Sequence, residues 1–212
     1  IEPLPEVESR LDTLADGRPI LIAGSTMRGE ESQVLESFVR VGGGSRALLV
    51  LAPRHPERWD EVAELLHKAG LEVLRRSQWD SGQRPEVLLL DSLGELASLY
   101  RVGFAAFIGG TLVPTGGHNP LESARFGVPT VVGPSMQNFR EIEEIFDRAA
   151  AWERAADAAQ LAAVWERWLD NPEAAQTTGL RGAEVVTDNR GALQKTLDFL
   201  EPLVAIGEPA KD

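Results

Sequence analysis

The side chains able to do chemistry in this 212-residue chain gather at turns bracketed by glycine and proline, and the densest is residues 109–122, GGTLVPTGGHNPLE. Gly109, Gly110, Gly116 and Gly117 let the main chain turn through positive φ or pass close to a ligand. Asn119 is a good helix N-cap and Pro120 suits the first helical position. Leu121 follows, and Glu122 stands three residues after the cap, where its carboxylate can reach back to the cap amide. Gly127 closes the segment. Free amides and the positive end of a helix dipole favour a phosphate or carboxylate, with His118 as a neighbouring polar group. The same residues also read as ordinary loop chemistry. Glu122 either caps the helix or meets a ligand hydroxyl, and a structural hydrogen bond is the commoner role of a lone His.

Three further turns carry candidate groups. In PRHPERW, residues 53–59, Pro53 and Pro56 stiffen a turn that presents Arg54 and His55. Arg54 either makes a charge-assisted contact to an anion, worth roughly 1.5 to 3 kcal/mol, or pairs with Glu57 or Asp60. In GSTMRGEE, residues 24–31, Gly24, Ser25 and Thr26 offer amides and hydroxyls to a phosphate or sugar, or else Ser25 or Thr26 caps the following helix. It is not a P-loop, because no GK[ST] follows. In DSLGEL, residues 91–96, the amides near Leu93 and Gly94 are placed to read a base or ribose and Glu95 to accept a hydroxyl, while Asp91 or Ser92 serves as an N-cap. There is no cysteine and no G-x-S-x-G nucleophile elbow. His55, His67 and His118 lack paired ligand spacing and no D-x-D is present, so no metal site is expected, and no cofactor is expected either.

The elements that must position these turns alternate along the first two-thirds of the chain. Short apolar runs at residues 20–24, 47–52, 71–74, 87–90, 104–108 and 129–132 read as buried parallel strands. Helical patterns lie at residues 30–41, 57–69, 93–101, 120–126 and 138–148. Repeated strand then helix predicts a doubly wound, Rossmann-like α/β sheet, in which ligands bind beyond the carboxyl ends of the strands. Every suspicious turn follows a strand. Toward the end, Asp157 is the expected N-cap of a helix over residues 158–169, Pro172 starts another, and residues 191–200 form a last amphipathic segment. These read as covering helices, with Leu161, Val164, Trp165 and Trp168 on the core face. The loop over residues 76–85 reads as polar and exposed, and the two ends, IEPLPE and IGEPAKD, as frayed or cut.

Composition bounds the partners. Hydrophobic residues make up 43% and charged residues 25%, the usage of a folded domain. The formal net charge of -12 argues against nucleic acid, which requires a basic face, and against broad adhesion to an anionic membrane. No apolar run approaches the roughly 20 residues of a membrane span, and the first residues lack the pattern of a secretory signal. A soluble chain is expected.

Taken together, PRHPERW (53–59), DSLGEL (91–96), GGTLVPTGGHNPLE (109–122), FGVPTVVGP (126–134) and NFREI (138–142) closely resemble the 3-deoxy-D-manno-octulosonic acid (Kdo) transferases. The resemblance covers about residues 19–200 and matches the carboxyl-terminal, donor-binding half of a GT-B glycosyltransferase, so residues 1–212 are expected to form one CMP-sugar-binding domain without the amino-terminal half. It implies transfer of Kdo from CMP-Kdo to lipid A precursor, with inversion and without metal, at the cytoplasmic face of the inner membrane. The acceptor site, membrane association and catalytic base belong to the missing half, so the chain itself should hold no catalytic residue. By resemblance, Pro53 and Arg54 match donor nucleotide contacts, Leu93, Gly94 and Glu95 the cytidine-reading segment, and Asn119, Pro120, Leu121 and Glu122 the helix start near phosphate and ribose. Ser25, His55, Gly110, Gly117 and His118 carry over more weakly. Ser123 and Trp59 stand where Pro and Phe are more usual in the family. Two other readings are a nonhydrolysing nucleotide-sugar epimerase domain, which would prefer UDP to CMP, and a nucleotide-binding module without catalysis.

Overall fold

The computed structural model describes residues 3–79 and 82–205, with side chains described through residue 188. The six apolar runs each form a parallel strand and a seventh joins them: β1 (Ile20–Thr26), β2 (Leu48–Pro53), β3 (Val73–Arg75), β4 (Val87–Leu89), β5 (Ala105–Ile108), β6 (Thr130–Val132) and β7 (Glu153–Arg154). Their order in the sheet is β3-β4-β2-β1-β5-β6-β7. The expected doubly wound α/β sheet is therefore present, with β4 inserted between β2 and β3. Strands β2 and β5 are buried at every position because helices cover both faces. On one face Ile22, Val50, Leu88 and Ile108 meet Leu11, Leu99 and Phe146. On the other, Leu21, Leu49, Leu51 and Phe107 meet Phe38, Leu66, Trp165 and Trp168. Leu161, Val164, Trp165 and Trp168 lie in the core, as their spacing requires.

The helices are α1 (Pro5–Ala15), α2 (Glu31–Arg40), α3 (Trp59–Lys68), α4 (Leu96–Leu99), α5 (Leu121–Ala124), α6 (Arg140–Ala149), α7 (Ala158–Asp170) and α8 (Pro172–Ala205). Asp157 caps α7 as expected, accepting from the Gln160 amide at 2.9 Å. Two expectations are corrected, and one element had no expectation. The amino-terminal residues from Pro5 are not frayed but helical; α1 buries only Leu11, Leu14 and Ala15, so its apolar stripe is faint in the sequence. Residues 191–200 are not a separate segment, because α8 runs continuously from Pro172 to Ala205. Strand β7 is two residues long with no apolar run to announce it. Ile1, Glu2 and the terminal IGEPAKD, residues 206–212, lie outside the described residues, as do Asp80 and Ser81 in the polar loop.

No helix among the described residues is long and apolar enough to cross a membrane. The chain passes from β1 to β2 and on to the edge strand β3, returns to place β4 between β3 and β2, then crosses over to place β5 on the other side of β1. The crevice outside the carboxyl ends of β1 and β5 is thus the place where such a sheet receives a ligand.

Candidate functional site

The two loops that leave β1 and β5 touch main chain to main chain. A β-carbon on Gly109 would stand 2.2 Å from the Ser25 carbonyl oxygen, so only glycine permits the approach. Ser25 takes φ of 56° at an irregularity in the β1/β2 pairing, the left-handed region rarely held by a side-chain-bearing residue. It caps no helix, and neither does Thr26, which is fully buried. Beside this floor lies a cleft of about 230 Å³ lined by Gly24, Ser25, Arg54, Tyr100, Ile108, His118, Asn119, Glu122 and Phe139. Five of the candidate residues therefore meet around one cavity: Ser25, Arg54, His118, Asn119 and Glu122.

Their electrostatics follow from placement. Arg54 is exposed at the end of β2 and forms no ion pair among the described residues. The alternative pairing fails because Asp60 holds Arg75 at 2.7 Å and Glu57 lies 3.7 Å from His55. Burial pushes the Glu122 carboxyl above the usual range, while the Arg54 charge and a hydrogen bond from the Asn119 side chain pull it back. Burial, with Arg54 and His55 nearby, holds the His118 imidazole below the ordinary histidine value, so it is neutral at neutral pH. Its Nε2 is buried and has no hydrogen-bond partner among the described residues, so that ring atom makes no structural hydrogen bond. Tyr100, fully buried, sits with its hydroxyl against Gly24.

The helix start after His118 differs from its sequence reading. Asn119 does accept from the Leu121 amide at 3.1 Å. However, no hydrogen bond joins Glu122 to the cap amide among the described residues, the Asn119 side chain instead lowering its carboxyl pKa, and α5 is a single turn of four residues, too short to sum much of a macrodipole. Pro120 is buried behind the cleft, and Leu121 lines a neighbouring apolar groove of about 360 Å³ with Ile142, Ile145 and Phe146. Gly110 and Gly117, with φ of 72° and 80°, shape the loop from beneath. The Gly110, Thr111 and Leu112 amides do not form an open anion cradle, because the buried Glu30 carboxylate accepts from all three.

Leu93, Gly94 and Glu95 follow β4 on the same sheet edge but do not line the cleft. Leu93 is 74% exposed and Gly94 has φ of 83°. Glu95 is not open to a ligand hydroxyl: Arg76 binds both carboxylate oxygens at 2.7 and 2.9 Å, and Ser92 donates to it as well. Nor does Asp91 cap the next helix, since it accepts from the Ser77 amide and hydroxyl and from Arg75 Nε. The helix expected over residues 93–101 shrinks to α4 and one 3-10 turn. Pro53 ends β2 and His55 opens a 3-10 turn, both beside Arg54 but outside the cleft. The residue-type reading missed Glu30, Tyr100 and Phe139, although the glycine loop itself signalled that some anion must meet its amides. No group of His, Asp or Glu among the described residues has the arrangement of a metal site.

No family model matches the chain. Curated relatives do. The 3-deoxy-D-manno-octulosonic acid transferase of Haemophilus influenzae is 39% identical over 213 residues, covering 95% of this chain and 48% of that protein. The chain spans about half the length of the curated relatives it matches. Among solved structures, the C-terminal CMP-Kdo binding domain of WaaA from Acinetobacter baumannii superposes with a TM-score of 0.78 and 34% identity, covering 85% of this chain and 95% of that domain. WaaG, a glycosyltransferase involved in lipopolysaccharide biosynthesis, shares the fold at a TM-score of 0.59 and 14% identity. The fold is that of one Rossmann-like half of a GT-B glycosyltransferase, and the chain belongs to the Kdo transferase family, matching its carboxyl-terminal domain.

Proposed function

We propose that this chain binds CMP-Kdo and serves as the donor half of a glycosyltransferase that moves Kdo to lipid A precursor. The observation that carries the reading is Arg54, a guanidinium without an ion-pair partner among the described residues, facing His118, Asn119 and Glu122 across the crevice between β1 and β5. In a chain of net charge -12, a free cation at that point is suited to an anionic ligand. The phosphate lies against Arg54, Glu122 accepts from a ribose hydroxyl, and the neutral His118 Nε2 bonds the ligand that desolvates it. Leu93 and Gly94 supply the edge that reads cytosine, with Pro53 and His55 framing Arg54 and Ser25 at the floor.

In the transfer step the bond from the anomeric carbon of Kdo to the phosphate oxygen breaks and its electron pair stays on CMP. An acceptor hydroxyl attacks from the opposite face, inverting that carbon, and its proton goes to a carboxylate of the amino-terminal half. Arg54 stabilises the charge gained by the leaving CMP, without a metal or other cofactor. The amino-terminal half supplies the acceptor site and the contact with the cytoplasmic face of the inner membrane, so the present chain alone is inactive.

Calorimetric titration tests the binding step. One guanidinium contact and a few neutral hydrogen bonds, set against the cost of association, give a Kd for CMP on the order of 0.1 to 1 mM, tighter than for UMP. Arg54→Ala should weaken CMP by about tenfold, equivalent to about 1.4 kcal/mol, whereas His67→Ala, exposed on α3, should leave it unchanged. Equal affinity for CMP and UMP, or no effect of Arg54→Ala, would remove the assignment.

A further inference from the structure

Glu30 is fully buried just before α2, and its carboxylate accepts from four main-chain amides: Met27 at 2.8 Å, Gly110 at 2.7 Å, Thr111 at 2.9 Å and Leu112 at 2.8 Å. Three successive amides of this kind form the concavity that commonly takes an external anion. Here an internal anion fills it and ties the loop after β1 to the loop after β5. A buried carboxylate without partners would be strongly unfavourable. Four donors offset that cost, although burial still pushes the Glu30 carboxyl upward.

The bonds continue toward the cleft. The Gly110 carbonyl accepts from the Gly117 amide at 2.8 Å and the Thr115 hydroxyl at 3.0 Å, and the Gly109 carbonyl accepts from the His118 amide at 3.1 Å. Gly110 lies so close beneath the imidazole that a β-carbon there would stand 3.0 Å from His118 Cδ2. The peptide whose amide Glu30 holds is therefore the one on which His118 rests. A glutamine at position 30 has one carbonyl oxygen to offer these four donors, and its NH₂ would face them as a fifth.

We propose that Glu30 is a positioning residue for the donor site: its carboxylate takes the place of a ligand anion on the amides of Gly110, Thr111 and Leu112, fixing the loop that aims His118 and Asn119 into the cleft. The phosphate of the donor is thereby kept off those amides and left to Arg54. This rests on the donor-site reading given above.

The test uses the chain with CMP as probe, followed by amide hydrogen exchange and by chemical shifts of the main chain and of the His118 ring. Glu30→Gln should unprotect Gly110, Thr111 and Leu112, shift the His118 ring resonances and weaken CMP about tenfold or more. In the native chain CMP should move the resonances of Arg54, His118 and Asn119 while the three amides stay protected and in place. A folded Glu30→Gln chain that binds CMP as the native chain does overturns the proposal. So do CMP-induced shifts centred on residues 110–112 of the native chain, a measurement that needs no variant to fold. A native chain that fails to bind CMP removes the donor-site reading and this proposal together, an outcome distinct from unaltered binding by the variant.

Discussion

Glu122 and His118 make the cleft sensitive to pH in opposite senses. The folded-state pKa of Glu122 is raised, so its contribution to stability is fully present in acid and is lost as pH rises through that raised value. Glu122→Gln should therefore melt higher than the native chain at neutral pH, with the gap closing as pH falls toward about 4, while CMP binding weakens because the hydroxyl acceptor is blunted. A melting series in matched buffers with parallel titrations checks both halves. For His118 the folded-state pKa is depressed, so its stability contribution is present above the ordinary histidine value and is lost as pH falls below about 6.5. Its ring resonances should titrate below that value in the free chain and move upward with CMP bound, because the phosphate favours the charged ring. A titration midpoint unmoved by CMP would place His118 outside the ligand's reach. Much of this cleft was legible in the sequence, since Arg54, His118, Asn119 and Glu122 sit in short motifs with local turn chemistry. Glu30, Tyr100 and Phe139 were not, because Tyr100 and Phe139 reach the cleft, and Glu30 the loop beneath it, only through packing between segments distant in sequence.

Elements meet here by close approach as much as by side-chain packing. Helix α8 crosses the turn after α5 at Gly179, where a β-carbon would stand 1.9 Å from the Gly127 carbonyl oxygen. Main chain cannot swing away as a side-chain tip can, so Gly179→Ala should cost at least about 2 kcal/mol, read as a lower midpoint in urea. Gly70→Ala, at φ of 76° in open space, should cost only the strain of its backbone, about 1 kcal/mol. A second junction is ionic. Arg58 bonds Glu31 at 2.7 and 3.1 Å between α2 and the turn before α3, with both side chains buried. Removing Glu31 leaves the buried Arg58 only the half-exposed Glu61 at 3.3 Å, so Glu31→Ala should cost about 3 kcal/mol, whereas replacing Glu31 and Arg58 together with apolar residues of similar volume should cost far less. Equal losses in single and double variants, measured by denaturation, would show that volume rather than charge governs the junction. The strands were legible because six of the seven are apolar runs closed by turns. Strand β7 pairs two residues with β6 at the sheet edge, and α1 exposes most of its surface, so neither has a pattern to read.

Across the whole molecule, 33 acidic residues face 21 basic ones. Such an excess opposes compaction through self-repulsion, and salt screens it over a Debye length of about 8 Å at physiological ionic strength. The melting midpoint should therefore rise as sodium chloride is increased from about 10 mM to about 150 mM; a fall would mean that local ion pairs outweigh the global field. The same field opposes any anionic ligand, so the role proposed for Arg54 is one it must play against the charge of the whole chain. The floor of the cleft has a consequence for how new specificities arise. Where the Gly109 and Ser25 main chains touch, no side chain stands between them to be enlarged, trimmed or recharged. A lineage, or a protein engineer, seeking to adapt this scaffold to another nucleotide sugar would find that surface closed to point substitution and would have to work from the walls, at Arg54, His118, Glu122 and Phe139.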